Sequence, residues 1–220
     1  RRRLRRIQER SLHKLLWERA TAQTADFVET YLPEVMVFSS KAQTWSLAAR
    51  KIGERFEHGV CLEFGVAGGA TVNWFSARLP AFQFYGFDSF TGLAEDWVGH
   101  HSAKGAYTQN GILPKVNSNV ALIKGWFDAT LPAFLQHRAA DMERLRFVHI
   151  DSDTYEAATI VLAAIGRHLK PGCLILFDEL VGYPNWRNGE FKALQEAQAR
   201  FGFTYKFLAF SSEQALIEIT

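Results

Sequence analysis

Carboxylate side chains are concentrated where two apolar runs of the sequence end. HIDSDTYEAA, residues 149–158, carries Asp151 and Asp153, and LILFDEL carries Asp178 and Glu179. If the two runs are neighbouring parallel strands, they lie about 4.8 Å apart and bring these acids into one small volume. Because crowded anions raise one another's pKa unless a cation joins them, Asp151, Asp178 and Glu179 are candidate ligands for Mg²⁺. Asp153, one step further out, is then free to act as a general base.

A structural role is the alternative interpretation of the same acids. Asp153 and Glu156 stand at the start of a stretch with helical spacing, residues 154–169. Negative side chains stabilise the positive end of a helix, so both could be capping residues there. His149 lies inside the apolar run, and we expect it to be a core histidine rather than a ligand.

A glycine-rich turn indicates a second kind of chemistry, the binding of a cofactor. In CLEFGVAGGAT, the turn 65–69 separates an apolar run from a helical stretch, and glycine there lets a ligand approach the backbone. The dinucleotide fingerprint G-x-G-x-x-G fails, because Ala67 and Ala70 occupy its second and third glycine positions. Asp88 ends the next apolar run, where a carboxylate can accept hydrogen bonds from both hydroxyl groups of a ribose. Trp126 offers a flat surface for an adenine ring, so these features together predict an adenosine-type cofactor.

The elements that would position these residues follow from the alternation of short apolar runs with stretches of helical spacing. Such alternation is typical of a parallel sheet covered by helices on both faces. After a helix over 189–200, two strand-like runs flank Ser211 and Ser212, and strands so close in sequence must pair as an antiparallel hairpin. The predicted fold is α/β, a doubly wound and mostly parallel sheet with a C-terminal antiparallel hairpin at its edge. The predicted parallel strands are 59–64, 82–87, 120–123, 146–150 and 172–177.

The segment 91–118 has no regular pattern and contains four glycines, Trp97, His100 and His101. A loop this long in a compact domain is usually functional, often as a lid. We expect it to close over a bound substrate and exclude water. Either histidine could replace Asp153 as the base, and the sequence does not separate them.

Length and charge restrict the remaining possibilities. The 220 residues, 48% of them hydrophobic, suffice for one domain over 58–220, preceded by a helical extension over 1–57 that is broken near Pro33. Residues 1–20 carry a charge of +6, which leaves −4 on the other 200, so we expect no nucleic-acid partner. This basic arm has an apolar helical face that could dock on a partner subunit or an acidic surface, and a solvated lead-in helix is the simpler alternative.

Location and cysteine usage complete the general expectations. No apolar run approaches the ~18 residues of a membrane span, and no signal peptide is visible, so we expect a cytoplasmic protein. Cys61 and Cys173 each lie within a predicted strand. We expect them to be buried small hydrophobes rather than a disulfide or metal pair.

Five motifs of the chain, in this order over residues 59–180, resemble those of S-adenosylmethionine-dependent methyltransferases of the Rossmann-like class: LEFGVAGGAT, FYGFDSFTGL, KGWFDATLP, HIDSDTYEA and PGCLILFDE. The chain looks most like the macrocin O-methyltransferase family, which methylates sugar hydroxyls of antibiotics. That family usually shows two aspartates where this chain has Asp178 and Glu179.

The resemblance implies roles for the residues already singled out. Glu63 and the turn 65–69 would hold the methionine part of the cofactor, and Asp88 would hold its ribose. Asp151 with the 178–179 pair would hold Mg²⁺. The cofactor-binding residues expected on this basis are Glu63, Gly65, Gly68, Gly69, Asp88, Ser89, Trp126 and Asp151.

The predicted function is therefore transfer of a methyl group from S-adenosylmethionine to a hydroxyl of a small molecule, such as a sugar or another natural product. Mg²⁺ is an optional second cofactor. The expected partners are the small-molecule acceptor and a second copy of the chain, contacted through the N-terminal helices. Two alternatives stay open: an NAD-dependent oxidoreductase, disfavoured by Ala67 and Ala70, and a non-catalytic adenosyl-binding module with the basic arm as its working part.

Overall fold

The computed structural model of the protein describes residues 11–220. Most of the basic arm, residues 1–10, lies outside the described residues, and so does the prediction that it docks on a partner. The rest of the arm begins helix α1, Leu12–Glu29. Ser11 caps this helix, because its hydroxyl accepts a hydrogen bond from the backbone N–H of Lys14 at 3.3 Å.

In residues 11–220, eight strands form one sheet: β1 (Met36–Phe38), β2 (Gly59–Phe64), β3 (Phe82–Asp88), β4 (Val120–Lys124), β5 (Leu145–Ile150), β6 (Leu174–Phe177), β7 (Tyr205–Ser211) and β8 (Gln214–Ile219). Their order across the sheet is β1-β7-β8-β6-β5-β2-β3-β4. Strand β8 runs antiparallel to its neighbours β6 and β7, and the other neighbouring strands pair in parallel.

Helices cover both faces of the sheet. The helices after α1 are α2 (Lys41–Arg55), α3 (Ala70–Arg78), α4 (Phe127–His137), α5 (Ala139–Met142), α6 (Tyr155–Ile165) and α7 (Glu190–Phe201). Side chains alternate along β2, so Leu62 packs in a core cluster with α1, α4, α6 and α7, and Cys61 packs in the opposite cluster with α2 and α3. The predicted doubly wound architecture is confirmed.

The order of the strands places the ends of β2, β5 and β6 side by side. From β2 the chain adds β3 and β4 on one side and β5 and β6 on the other. Phe64 pairs with Ile150, and Ile150 pairs with Phe177, so the residues that follow these strands share one edge. Ligands of open α/β sheets bind at such a switch point, beyond the carboxyl ends of the strands.

The five parallel strands and the hairpin occur where the sequence predicts them, but the edge of the sheet differs. The hairpin does not form the edge, because β1 pairs in parallel with β7 through Met36 and Ala209. Sequence analysis expected only helical material before residue 57. Strand β1 is three residues long, and Met36 and Val37 are 49% and 58% exposed, so no alternation of buried and exposed positions marks it. The domain boundary near residue 57 stays a prediction, although β1, before it, is a strand of the sheet and α2 packs in the core.

None of the helices in the described part of the chain is long and apolar enough to cross a membrane. Cys61 and Cys173 are free thiols buried in the core, which confirms their expected burial.

Candidate active site

A cavity of ≈ 800 Å³ opens beyond the carboxyl ends of β2, β3, β5 and β6. Its wall combines the glycine turn, the strand-end acids and the loop after β3. Among the lining residues, those that could bind a ligand or take part in a reaction include Lys41, Gly65, Asp88, Ser89, Trp97, His100, Tyr107, Trp126, Asp151, Asp153, Asp178 and Glu179.

Gly65 lets the ends of β2 and β5 approach each other. Its φ is +93°, and a Cβ there would lie 1.7 Å from the carbonyl oxygen of Asp151. The backbone N–H of Asp151 donates to the carbonyl of Phe64 at 2.8 Å and fixes this approach. Gly69, the N-cap of α3, also has a positive φ, whereas a Cβ on Gly68 would meet no atom within 4 Å. Gly65 and Gly69 are therefore the glycines of this turn that its geometry requires.

Asp88 holds the glycine turn in shape. Its Oδ2 accepts hydrogen bonds from the backbone N–H groups of Val66 at 2.9 Å and Ala67 at 2.7 Å, and its Oδ1 accepts one from Phe90 at 2.6 Å. A carboxylate offers about four lone-pair positions, so about one is left for a ligand. Asp88 therefore has room to accept a hydrogen bond from one ribose hydroxyl, whereas the sequence analysis expected it to accept from both.

Trp126 forms a flat apolar part of the wall next to Asp88. It is the N-cap residue of α4 and is 45% exposed. The following residue, Phe127, packs edge-to-face on Phe64 with ring centroids 5.5 Å apart and anchors the start of the helix in the core. Trp126 and Ile160 both line the cavity and leave apolar surface open to a planar ligand.

Three carboxylates meet at the ends of β5 and β6. One oxygen each of Asp151, Asp153 and Glu179 lies within 4.8 Å of the others. Burial, and next the charge of Asp178, raises the pKa of Asp153 to about 7. The same two causes raise the pKa of Asp151 and of Glu179 well above the usual range.

Thr154 is the residue that caps α6, by accepting a hydrogen bond from the backbone N–H of Ala157. Asp153 precedes the helix with a φ of +64° and lines the cavity.

Asp178 is occupied by protein partners. Its Oδ2 pairs with the Lys41 ammonium group, and its Oδ1 accepts a hydrogen bond from the side-chain amide of Gln214. Burial raises its pKa, but the nearby His149 and Lys41 outweigh burial and hold that pKa well below the usual range. The predicted metal group of Asp151, Asp178 and Glu179 is thus divided: in the described residues, Asp178 groups with His149 and Asp151, and Glu179 groups with Asp151 and Asp153.

His149 bridges two acids beneath the cavity. Its Nδ1 lies 3.2 Å from Glu63 Oε2, and its Nε2 lies 3.7 Å from Asp178 Oδ1. Burial lowers the pKa of His149, but the two acids outweigh burial and raise it to about 10. The expectation of a core histidine is met in its burial, and its two acidic partners give it an electrostatic role as well.

The loop after β3 adds an aromatic wall. His100 stacks on Trp97 with ring centroids 3.9 Å apart, and its Nδ1 lies 3.1 Å from the Ser102 hydroxyl. Burial, and then the charge of His101, lowers the pKa of His100 to about 4. Trp17 of α1 packs edge-on against His100 at 5.7 Å. Helix α1 therefore supports the loop from outside the cavity.

Comparison with known families identifies the class of protein. A family model described as a methyltransferase domain matches residues 62–180, just over half of the chain. The chain belongs to this methyltransferase domain family. The matched segment begins in β2 and ends directly after Glu179, so it contains the glycine turn and all four strand-end acids. The resemblance to Rossmann-like methyltransferases is confirmed.

Solved structures agree with this methyltransferase in fold. The calicheamicin methyltransferase CalS11 is 22% identical over 94% of this chain and 93% of its own, with a TM-score of 0.64. The O-methyltransferase NovP is 18% identical over 81% of this chain and 78% of its own, with a TM-score of 0.62. MycE from the mycinamycin pathway, solved with Mg and SAH, is 15% identical over 79% of this chain and 48% of its own, with a TM-score of 0.54. A sequence comparison with curated proteins gives no match.

Most of the expected site residues of the methyltransferase meet in one cavity. Those that line it are Gly65, Asp88, Ser89, His100, Trp126, Asp151, Asp153, Asp178 and Glu179. Outside the lining formed by the described residues lie Glu63, Gly68, Gly69 and His101. Glu63 is 2% exposed and faces His149 rather than the cavity, so its expected contact with the cofactor is not part of this geometry.

Charged residues in or beside the site that have no counterpart in the sequence predictions include Lys41 and Glu213, which line the cavity, and Glu190, which lies next to it. Lys41 pairs with Asp178, and Glu190 reaches Ser152, with its Oε1 3.4 Å from the hydroxyl. No sequence pattern pointed to Glu190, because an acid at the start of a helix is common. A weak pattern pointed to Lys41: it begins helix α2, where the positive end of the helix dipole disfavours a cation unless acids are near.

Proposed function

We propose that this methyltransferase transfers a methyl group from S-adenosylmethionine to a hydroxyl group of a small-molecule acceptor, such as a sugar or another natural product. One observation carries the proposal: the glycine turn with Asp88 and the strand-end acids line the same cavity of ≈ 800 Å³. A site for an adenosine-type ligand and a site for a proton acceptor are thereby adjacent. Such adjacency is what transfer from a bound cofactor to a hydroxyl requires.

The cofactor half of the proposal rests on Gly65, Asp88 and Trp126. Gly65 leaves the backbone bare at the switch point, Asp88 has about one acceptor position free, and Trp126 presents an apolar face. S-adenosylmethionine would supply an electrophilic sulfonium methyl group when bound. The protein's main task is then to align the acceptor oxygen with that methyl group.

Asp153 is the proposed general base. Its pKa of about 7 means that much of it is deprotonated at neutral pH, yet it is a stronger base than an ordinary carboxylate. His100, with a pKa near 4, is neutral at pH 7 but binds a proton weakly. His101 does not line the cavity. The pKa values therefore favour Asp153 over His100, and the position in the cavity wall favours Asp153 over His101.

The acids beside Asp153 fit a divalent cation. Asp151, Asp153 and Glu179 each present an oxygen within 4.8 Å of the others, and oxygen is the donor that Mg²⁺ prefers. Glu179 Oε2 is buried and has no hydrogen-bond partner in the described residues, and an unsatisfied buried polar atom is costly. Asp151 and Glu179 would hold the ion, which leaves Asp153 free to act as the base. A bound Mg²⁺ would orient the acceptor hydroxyl and lower its pKa.

Known proteins of the same fold support the choice of acceptor group and cofactors. CalS11 is named as a TDP-rhamnose 3'-O-methyltransferase, NovP as an O-methyltransferase, and MycE was solved with Mg and SAH. Their low identity restricts the likeness to the fold. As proteins of the same fold that carry out this reaction class, they support the proposed reaction. The acceptor itself is left to experiment.

Calorimetric titration with S-adenosylmethionine tests the proposal. We expect micromolar binding by the wild-type protein and at least tenfold weaker binding by Asp88→Asn, which keeps the shape of the side chain but loses one acceptor oxygen. Asp96→Asn, a change of the same type at an exposed loop residue, should bind as the wild type does. Thermal unfolding of each variant verifies that it is folded.

Each outcome of the titration has a clear meaning. Absence of binding by folded protein that is free of retained ligand would refute the proposal. Binding without methyl transfer to any compound of a broad panel of sugars and phenols would favour the non-catalytic adenosyl-binding module instead. Mass spectrometry for a gain of one methyl group distinguishes these results.

A further inference from the structure

Lys41 places a positive charge inside the acidic end of the cavity. It is the first residue of α2, outside the segment that matches the methyltransferase family. Its ammonium group pairs with Asp178 and lies 3.6 Å from Glu179 Oε1. Burial lowers the pKa of Lys41, but Asp178 and Glu179 outweigh burial and raise it, so the side chain stays charged at neutral pH.

The ion pair with Lys41 restricts which acids can bind a cation. Asp178 uses one oxygen for Lys41 and the other for Gln214, with His149 Nε2 3.7 Å from the second oxygen. With Asp178 engaged, the all-carboxylate group that has its oxygens within 4.8 Å is Asp151, Asp153 and Glu179.

We infer that Lys41 controls the cation site: by holding Asp178 in an ion pair, it excludes that carboxylate from the ligands of a divalent cation and weakens binding of the ion. The inference rests on the proposed function, which places the cation among these acids. It concerns a residue that neither the family motifs nor the strand-end pattern includes.

Two physical effects act in the same direction. The Lys41 ammonium group, 3.6 Å from Glu179, repels an incoming cation, and it also occupies the lone pairs of Asp178 that could otherwise bind the cation. Removing the ammonium group frees Asp178 and leaves four carboxylates with fewer neutralising charges. Because affinity for divalent ions rises with the number and charge of oxygen ligands, the variant should bind the ion more tightly.

Binding of Mn²⁺, followed by electron paramagnetic resonance on metal-stripped full-length chain, tests this inference without an activity assay. We expect Lys41→Met to bind Mn²⁺ at least tenfold more tightly than the wild type. Lys41→Arg, which keeps the charge, and Lys51→Met, which removes the same charge from the same helix, should stay within twofold of the wild type.

A double-mutant cycle with Asp178→Asn separates ligand release from a general change in charge. Asp178→Asn alone should alter Mn²⁺ affinity less than threefold, because Asp178 is not a ligand while Lys41 holds it. In the Lys41→Met background the same change should abolish most of the tenfold gain. A Lys41→Met variant that binds Mn²⁺ no more tightly than the wild type, or no Mn²⁺ at all, would overturn the inference.

The same protein samples distinguish this inference from the proposed function. If S-adenosylmethionine binding and methyl transfer persist while the Mn²⁺ results fail, the role of Lys41 is wrong and the methyltransferase reaction stands. If cofactor binding is also lost from folded protein, the proposed function fails as well.

Discussion

Glu190 shows how far the acidic character of the site extends below the cavity floor. It is fully buried at the start of α7, and its Oε1 lies 3.4 Å from the hydroxyl of Ser152, next to Asp151. Burial, and next the charge of Asp153, raises the pKa of Glu190 to about 8. The unfolded chain releases this proton near pH 4.5, so between about pH 4.5 and 8 the folded state binds more protons than the unfolded state. Glu190 should therefore reduce stability as the pH rises through this range.

Replacement of Glu190 by Gln tests that dependence. The amide has no proton to lose, so the melting temperature of Glu190→Gln minus that of the wild type should increase from pH 5 to pH 9. We expect a gain of at least about 3 °C, the shift that about 1 kcal/mol produces in a chain of this size. Thermal unfolding in buffers with EDTA gives the comparison.

Glu196→Gln is the control on the same helix, at an exposed residue whose Oε2 accepts a hydrogen bond from the Tyr155 hydroxyl, a bond that the oxygen of the Gln amide can keep. Its difference from the wild type should be the same at both pH values. A constant difference for Glu190→Gln as well would show that Glu190 does not hold its proton in the folded state.

Single site residues could be predicted where a strand-end pattern pointed to them. The strand-end acids share one edge of the sheet as expected, because the carboxyl ends of neighbouring parallel strands lie there, but the three that group closely are Asp151, Asp153 and Glu179 rather than Asp151, Asp178 and Glu179. The role of Asp178 could not be predicted, since its partner Lys41 is 137 residues away in the chain. Pairing over such a distance depends on the fold and leaves no local sequence pattern.

Helix α1 is the element that braces the outer side of the site. Its Trp17 contacts His100, and its Thr24 hydroxyl accepts a hydrogen bond from the backbone N–H of Gly182 at 2.9 Å. Its Phe27 packs against several core rings, including those of Trp186 and Phe191. The helix thus joins the loop after β3 and the loop after β6 to the same core.

Removal of the Trp17 ring should loosen the loop that it supports. In Trp17→Ala we expect faster amide hydrogen exchange over residues 97–107, because His100, which stacks on Trp97, loses its edge-on aromatic neighbour. Exchange in β2 and β5 should be unchanged. Mass spectrometry of peptic fragments resolves these segments.

Leu12→Ala is the control on the same helix, since Leu12 is 71% exposed. It should leave exchange in the loop at the wild-type rate. Equal exchange in Trp17→Ala and wild type would mean that α1 does not restrain the loop.

Helices and strands could be predicted from the sequence where their hydrophobic pattern is regular. The central strands are fully buried apolar runs, such as β2, and the sequence located them to within two residues. Strand β1 was missed because a three-residue edge strand with exposed side chains has no distinct period. Helix α7, Glu190–Phe201, was located to within one residue of the predicted range 189–200.

The whole molecule creates the site by its topology. The chain winds outward from β2 in both directions, and this brings the glycine turn, Asp88 and the acids after β5 and β6 to one edge. Residues 88 positions or more apart, such as Gly65 and Asp153, line the same cavity as a result. The sequence predicted this arrangement because the alternation of apolar runs and helical stretches allows few topologies.

The role of the N-terminal arm could be predicted less well from the sequence than the arrangement of the site. Its charge and apolar face suggested a partner subunit, and residues 1–10 lie outside the described part of the chain. Contact with a second copy of the chain through these helices stays a prediction, for which the mass of the protein in solution is the direct measurement.

A crystal structure of the protein with S-adenosylhomocysteine tests the central claim most directly. The account predicts that this ligand lies in the cavity beyond β2, with its ribose at Asp88 and its adenine against Trp126, and that its sulfur points toward Asp153. Electron density for the ligand elsewhere on the protein, or an empty cavity at saturating ligand concentration, would contradict the account.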